Sequence, residues 1–447
     1  MGRLFGTDGV RGIGNVDLTP ELALHLGRAL VGVLREEGER RPTILVGRDP
    51  RWSGEMLEAA LVAGITSAGG DAVTLGVLPT PAVAYLTARG GARAGAMISG
   101  SHNPVQDNGI KFFGPEGFKL TDDEEDRLEA LIDSGAAPRP TGTNVGRSLR
   151  DPAAVARYVE HLVVTSEESL AGIKVVVDGA HGAASGVAPQ VYRQLGADVV
   201  TVNCSPDGSN INEHAGSEYP DVICEAVVAH GADVGVSHDG DADRLIAATH
   251  EGGEVDGDVI LAILARARKY RGTLAHDTVV TTVMTNLGFR QAMQRLQIEV
   301  VETQVGDRYV LEVMRERDLI LGGEQSGHII QLDHATTGDG ILAAVNLLSV
   351  LRTTGVSLRE LTGVMQRLPQ VLVNVRVRDR DGLEDADDVW AAVEAEQDKL
   401  GGDGRVLVRP SGTEPLVRVM VEAGSDDDAR GSAERIAGVV SSVLGAA

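Results

Sequence analysis

Short runs of β-branched and aliphatic residues recur along the chain, each closed by Gly or a polar turn and followed by a stretch whose apolar positions fall three and four apart. Run, turn, amphipathic stretch and second run make the pattern of a βαβ unit. It appears three times: TILVGRDPRWSGEMLEAALVAGITSAGGDAVTLG from Thr43, IKVVVDGAHGAASGVAPQVYRQLGADVVTVN from Ile173, and VVTTVMTNLGFRQAMQRLQIEVVET from Val279. The copies share a plan and almost no residues. They predict three α/β domains of one general build.

The last stretch follows a different rule. VLVNVRV from Val371 alternates at period two, a helix is predicted around Asp387 to Leu400, two further strands flank RPSGTE, and a helix closes the chain. This reads as a smaller α+β domain. The polar run APRPTGTNVGRSLRDP, the segment Gly252 to Val255, and Leu368 with Pro369 mark the breaks. The expected domains are therefore 1–152, 153–254, 255–367 and 368–447.

Composition narrows what these domains do. The chain has 447 residues, 43% hydrophobic and 24% charged, with a formal net charge of −24. Such a balance suits a soluble globular protein and argues against nucleic acid or an anionic membrane as a partner, since both are polyanions. No run approaches the ~20 apolar residues that span a bilayer, and MGRLFGTDGVRG has no apolar leader segment, so a cytoplasmic protein is expected. Cys204 and Cys224 have no partner spacing for a disulfide framework or a zinc site.

Four segments carry candidate chemistry. In GAMISGSHNPVQDNGIKFF an apolar strand breaks into Ser99, Gly100, Ser101, His102, Asn103 and Pro104. A serine at a strand end can serve as a nucleophile when a base, a metal or an attached phosphoryl group activates it. The same residues also make an ordinary turn in which Ser and Asn satisfy backbone donors. In SHDGDADRLIA, Asp239, Asp241 and Asp243 alternate with small residues, and alternation sets three carboxylates on one side of an extended segment. Two like charges about 4 Å apart cost roughly 4 kcal/mol at an effective dielectric near 20, so a hard cation such as Mg²⁺ or Ca²⁺ is expected between them. An EF-hand is excluded because its sixth and twelfth positions hold Arg244 and His250; a solvated acidic loop stays open.

LGGEQSGHII places Glu324, Ser326 and His328 among glycines, a set that suits sugar hydroxyls and equally a Gly-rich turn. In VRPSGTEPLVRV, Arg409, Ser411, Gly412, Thr413 and Arg418 supply donors for a phosphate cradle, or for a plain hairpin loop. GxxxxGK[ST], GxGxxG at a βαβ opening and HExxH are absent, so ATP is not the expected phosphoryl source.

With these four segments in this order, and with GTDGVRG, VGDRYV and LPQVLVNVRV besides, the chain resembles the α-D-phosphohexomutase family over essentially its whole length, most closely the branch that acts on glucosamine phosphate. The resemblance implies three related α/β domains with mixed sheets and a smaller C-terminal α+β domain around a central cleft. It implies that Ser101 is phosphorylated, that Asp239, Asp241 and Asp243 hold one Mg²⁺ together with a phosphoserine oxygen, and that Glu324 and Ser326 read sugar hydroxyls. Arg409, Ser411, Gly412, Thr413 and Arg418 would grip the non-reacting phosphate, Arg11, Lys111 and Arg244 would offset negative charge, and Lys111 and His328 are the candidates for proton transfer.

The implied reaction exchanges glucosamine 6-phosphate and glucosamine 1-phosphate through glucosamine 1,6-bisphosphate, which also serves as activator, with the C-terminal domain closing over the cleft. Relatives in that family often form homodimers, and the sequence leaves open whether this chain does. Gly100, His238, His181, Ala215 to Tyr219 and Thr249 depart from the family pattern without removing a residue assigned to catalysis. Two rival readings are the same chemistry on glucose or mannose phosphate, and a non-catalytic sugar-phosphate-binding regulator on the same fold.

Overall fold

The computed structural model describes all residues except 1–3, 7, 167, 380, 412–414 and 446–447, together with the side chain of residue 381. Two compact units make up the chain: Met1–Val283 with Ile298–Gly363, and Met284–Gln297 with Val364–Ala447.

Among the described residues, three sheets lie in the first unit. The first contains β1 (Val10–Ile13), β2 (Thr43–Arg48), β3 (Asp71–Val77), β4 (Ala94–Ile98), β5 (Asp107–Phe113) and β6 (Ser148–Arg150), in the order β1-β5-β4-β2-β3-β6. The second contains β7 (Lys174–Asp178), β8 (Asp198–Val202), β9 (Val234–Ser237), β10 (Ile246–Thr249) and β11 (Glu254–Val255), in the order β11-β10-β9-β7-β8. The third contains β12 (Thr278–Thr282), β13 (Glu299–Thr303), β14 (Leu321–Gly323) and β15 (Ile329–Gln331), in the order β13-β12-β14-β15. All three expected βαβ units are present as β2 to β3, β7 to β8 and β12 to β13, each pair parallel.

The sheets share a further device that positions the chemistry. In each, the next parallel strand reverses into an antiparallel neighbour: β4 into β5, β9 into β10, and β14 into β15. Every sheet therefore mixes a parallel core with a hairpin. The three hairpin turns, residues 99–106, 238–245 and 324–328, are the three segments singled out above for chemistry. Ligand sites favour the C-terminal ends of parallel strands, where side chains from several loops can converge.

Helices cover these sheets for ordinary reasons. Pro20–Glu36 starts at Thr19, whose side chain accepts from the Leu22 amide, and has Pro20 in its first turn. Its apolar positions Ala23, Leu26, Leu30 and Leu34 fall on one face and are buried in the core shared with Leu57, Leu61 and Ile65 of the helix Trp52–Ser67. Truncating Leu30 to Ala would cost about 2–5 kcal/mol at such a site.

The second unit contains β16 (Gln370–Arg376), β17 (Arg405–Pro410) and β18 (Leu416–Glu422), antiparallel in the order β16-β18-β17. Helices Asp387–Leu400 and Asp426–Leu444 bury Val389, Ala433, Ile436 and Val440 in its core with Val408, Val417, Val419 and Val421 of the sheet. This is the expected α+β arrangement. The helix Leu287–Arg295, which connects β12 to β13, also belongs to this unit. Among the described residues no single helix is long and apolar enough to cross a membrane.

Candidate active site

Ser101 opens the turn after β4, is 2% exposed, and has φ 50, in the left-handed region. Its Oγ donates to Asp239 Oδ2 at 2.8 Å. Asp239 follows β9, so the nucleophile candidate and the carboxylate cluster meet across two hairpins.

The aspartates do not lie on an extended run as their alternation suggested. In a strand, alternate residues are separated by about 6.6 Å along the chain. Here residues 238–245 form a turn with Ala242 at φ 59. Folding back brings ligand oxygens of Asp239, Asp241 and Asp243 within 4.8 Å of one another, all buried. Gly240 between them touches the Ser101 loop so closely that a Cβ there would stand 2.5 Å from the Ser101 carbonyl oxygen.

The electrostatics of this cluster are unbalanced. Burial, with repulsion from Asp243 and Asp241, pushes the Asp239 carboxyl well above its usual range. Burial acts the same way on Asp241, but Lys111 and the hydrogen bond from Thr80 overcome it and hold that carboxyl low. Thr80 Oγ1 donates to Asp241 Oδ2 at 2.6 Å, and Lys111 Nζ donates to the same oxygen at 3.2 Å. Asp241 Oδ1 and Asp243 Oδ1 are buried and have no hydrogen-bond partner among the described residues. Orphaned buried carboxylate oxygens are costly unless a cation occupies the space they face, so the residues present fit a hard, oxygen-preferring metal ion.

Cations surround the cluster. Lys111 on β5 is 2% exposed and lies 2.9 Å from Asp8 Oδ2; burial would lower its pKa, yet Asp241, Asp8 and Asp243 together raise it. Arg11 on β1 pairs with Asp8. Arg244 donates its backbone N–H to Asp239 Oδ1 at 3.3 Å, and its guanidinium pairs with Glu218 at 2.9 Å. Asp8 also receives Lys119, whose Nζ lies 2.6 Å from Asp307 Oδ2.

The third hairpin joins the same centre. Arg244 bridges His328, and the Leu245 amide donates to the Gly327 carbonyl at 3.0 Å. His328 is 5% exposed, with Nε2 3.8 Å from Asp243 Oδ2 and 3.7 Å from Asp307 Oδ2; neither ring nitrogen has a hydrogen-bond partner among the described residues. Glu324 is partly buried and accepts from the Gly306 amide at 3.2 Å, burial raising its pKa, while Ser326 is exposed. Ser101, Arg11, Lys111, the three aspartates, Arg244, Glu324, Ser326 and His328 thus all sit on loops or strands of the first unit.

The phosphate-cradle candidates lie in the second unit. Arg409 on β17 stands opposite Arg418 on β18 in the antiparallel register, and burial together with the Arg418 charge lowers the Arg409 pKa. Two guanidinium-bearing positions paired across strands form an anion-favouring surface. Ser411 is buried, and its amide donates to Leu416. Gly412 and Thr413 lie outside the described residues.

Sequence reasoning missed several side chains that this geometry brings forward: Asp8, Asp49, Arg51, Thr80, Lys119, Asn212 and Asp307. Asp49 and Arg51 had a signal, since VGRDPRWSG places charges at the C-terminal end of an apolar parallel strand. His238, which departs from the family pattern beside the aspartate turn, points elsewhere. It lies 3.0 Å from the Arg244 carbonyl through Nδ1 and 3.1 Å from the Tyr192 hydroxyl through Nε2, and burial lowers its pKa to about 4. This is a neutral imidazole packed behind the loop.

Comparison with known proteins follows the same division. The chain matches the four phosphoglucomutase/phosphomannomutase models: alpha/beta/alpha domain I over residues 2–139, domain II over 156–253, domain III over 256–368, and the C-terminal domain over 372–439. A phosphoglucosamine mutase from Streptomyces griseus is 55% identical over 452 residues, covering 100% of both chains. A crystal structure of a phosphoglucomutase/phosphomannomutase family protein from Burkholderia thailandensis is 25% identical with a TM-score of 0.85, covering 99% of this chain and 97% of that one. At 18% identity and a TM-score of 0.68, with 99% and 96% covered, the fold is also that of Aspergillus fumigatus N-acetylphosphoglucosamine mutase, solved in complex with GlcNAc-6P and magnesium. With four domain models in order and a full-length relative at this identity, the chain belongs to the phosphoglucomutase/phosphomannomutase family, the α-D-phosphohexomutases.

Proposed function

We propose that this isomerase interconverts glucosamine 6-phosphate and glucosamine 1-phosphate, with Ser101 carrying the phosphoryl group between the two ends of the sugar. The observation that carries this reading is the buried Ser101 hydroxyl, 2.8 Å from the first of three convergent aspartates, in a chain 55% identical over its full length to a phosphoglucosamine mutase. The reaction would supply an amino-sugar 1-phosphate for UDP-N-acetylglucosamine and peptidoglycan precursor synthesis in the cytoplasm.

In the forward direction phosphoserine 101 gives its phosphoryl group to the free C1 hydroxyl of glucosamine 6-phosphate. The P–O bond to Ser101 breaks as the P–O bond to the sugar forms, the sugar hydroxyl proton passes to a base, and the released Ser101 oxygen takes up a proton. The products are glucosamine 1,6-bisphosphate and free Ser101. After the bisphosphate turns around, its C6 phosphoryl group returns to the same serine, which loses its proton as the C6 oxygen gains one. One site serves both halves because the two half-reactions are mirror images about the sugar.

The residues divide this work by position. His328 has both ring nitrogens open and stands at the third hairpin, where Glu324 and Ser326 would hold the sugar hydroxyls, so we assign it the proton exchange with the sugar. Lys111, buried beside Asp241 and Asp8, places a fixed ammonium next to the phosphoryl group and is the second candidate for proton transfer. Arg11 and Arg244 add positive charge on the other sides of the site. Arg409, Ser411, Gly412, Thr413 and Arg418 are proposed to grip the phosphate that is not reacting. Mg²⁺, when held by Asp239, Asp241, Asp243 and an oxygen of phosphoserine, supplies a positive charge that stabilises the transferring phosphoryl oxygens.

The test is phosphorus NMR of the protein with Mg²⁺, a trace of hexose 1,6-bisphosphate, and glucosamine, glucose or mannose 6-phosphate in parallel, with Ser101→Ala as control. Formation of the 1-phosphate is expected to be fastest from glucosamine 6-phosphate and absent in the control. Faster turnover of glucose or mannose phosphate would move the assignment to that substrate, and no turnover of any sugar by phosphorylated protein would sink the mutase reading.

A further inference from the structure

Ser101 keeps a backbone conformation that a side chain disfavours, at φ 50, and something must hold it there. Two side chains from different sheets converge on the same two carbonyls of its loop. From one side the Arg51 guanidinium donates Nη2 to the Ser101 carbonyl at 3.0 Å and to the Asn103 carbonyl at 2.8 Å, and Nη1 to the Pro104 carbonyl. From the other side Asn212 Nδ2 donates to the Ser101 carbonyl at 2.7 Å and to the Asn103 carbonyl at 2.9 Å.

Both clamping groups are themselves fixed. Arg51 is fully buried and pairs with fully buried Asp49, through Nε at 2.9 Å and through its backbone N–H at 3.0 Å. Asp49 also accepts from Ser99 Oγ at 2.7 Å, and Ser99 Oγ in turn accepts from the Ser101 amide at 2.9 Å. The network thus closes on both ends of the nucleophile's own residue. Gly100 leaves room for it, because a Cβ there would lie 3.1 Å from Arg51 Cζ.

We infer that Arg51 and Asn212 are positioning residues, a two-sided clamp that holds Ser101 in its left-handed conformation in both the phosphorylated and the free state. The inference rests on the assignment of Ser101 as phosphoryl carrier. Between the two states the serine gains or loses about two negative charges, and the free residue has a more favourable backbone region available to it. Relaxing to that region would carry Oγ away from Asp239. Carbonyls pinned from two directions cannot rotate, so the hydroxyl left after one half-reaction stays where the second needs it. The clamp also ties the loop between β8 and β9, which carries Asn212, to the first sheet's Ser101 loop, since Arg51 follows β2.

The experiment compares full-length wild type, Asn212→Ala and Arg51→Lys. Intact mass gives the phosphoryl occupancy of Ser101, thermal unfolding gives the folded fraction, and steady-state kinetics with glucosamine 6-phosphate give kcat and KM over a pH series. Per folded, phosphorylated molecule, kcat is expected to fall about 10- to 100-fold in each variant, the range that small misplacement of a reacting group produces, with KM unchanged and the shape of the pH profile retained. Should Arg51→Lys fail to fold, Asn212→Ala carries the test alone. An unchanged kcat in the folded variants, or a loss that follows the folded fraction alone, would overturn the clamp. A wild-type enzyme that turns over without phosphoryl on Ser101 would instead overturn the carrier assignment on which it rests.

Discussion

The Tyr158 hydroxyl donates a 2.6 Å hydrogen bond to Asp339 Oδ2, joining two fully buried side chains that lie 181 residues apart. Asp339 also caps the helix Gly340–Thr354, accepting from the Leu342 amide at 2.9 Å. Burial pushes its carboxyl up to about 6, against the pull of those two hydrogen bonds. The fold therefore favours the protonated acid: this contribution to stability is complete below the ordinary value of 3.8 and is lost as pH rises through 6. Asp339→Asn keeps a capping oxygen and removes the titration. It is expected to flatten the stability curve between pH 4 and 6, read from urea midpoints at both ends of that range. Parallel curves for the two proteins would refute this.

Metal removal is expected to cost stability as well as activity, because it leaves Asp239, Asp241 and Asp243 facing one another in a buried site. Adding Mg²⁺ at about 100 times its Kd is expected to stabilise the protein by about 2.7 kcal/mol, seen as a rise in Tm. In Asp243→Asn the rise should shrink and kcat should fall at least about 100-fold. A Tm indifferent to Mg²⁺ in the wild type would show that the triad is not a cation site.

Gly240→Ala tests how tightly the first two hairpins are fitted. The added Cβ would stand 2.5 Å from the Ser101 carbonyl oxygen and 3.0 Å from Asn212 Nδ2, and the nearer neighbour is backbone. Overpacking of this kind costs about 1–3 kcal/mol, and a strong loss of kcat should accompany it because the displaced atoms belong to the loop of Ser101, the proposed phosphoryl carrier. Wild-type turnover in this variant would mean that the loop has more freedom than its contacts allow.

The arginines paired across β17 and β18 predict a separation of binding from chemistry. Arg409→Ala removes charge-assisted hydrogen bonds of about 1.5–3 kcal/mol, so KM for the sugar phosphate should rise about 10- to 100-fold. Inorganic phosphate should raise the Tm of the wild type and do so less in the variant. An unchanged KM would remove Arg409 from the phosphate site.

Much of this architecture was legible in the order of apolar runs, because βαβ units and a period-two terminal sheet follow from local patterning. The hairpin segments were legible for a related reason: Ser101, Asp239 and Glu324 interrupt apolar strands with polar residues and glycine, which a buried core does not tolerate without purpose. What the sequence could not show is which loop meets which. Asn212 has no motif of its own and matters only because the fold sets it against a carbonyl 111 residues away. Asp307 and Lys119, likewise, form an ion pair across 188 residues. The arrangement of the three aspartates is not legible because alternation implies a strand, whereas a left-handed Ala242 turns the chain back on itself.

The placement of one chemical element on each of three hairpin turns has a consequence for how activity arises. Ser101 and Asp239 are 138 residues apart, and His328 comes from a third sheet again. Each sheet can reach its own hydrogen-bonded form through contacts nearer in sequence, but no single sheet contains a working fragment of the site. Catalytic competence is thus a late event in folding, reached only when loops closed over long stretches of chain have met, and native secondary structure should return on refolding before turnover does.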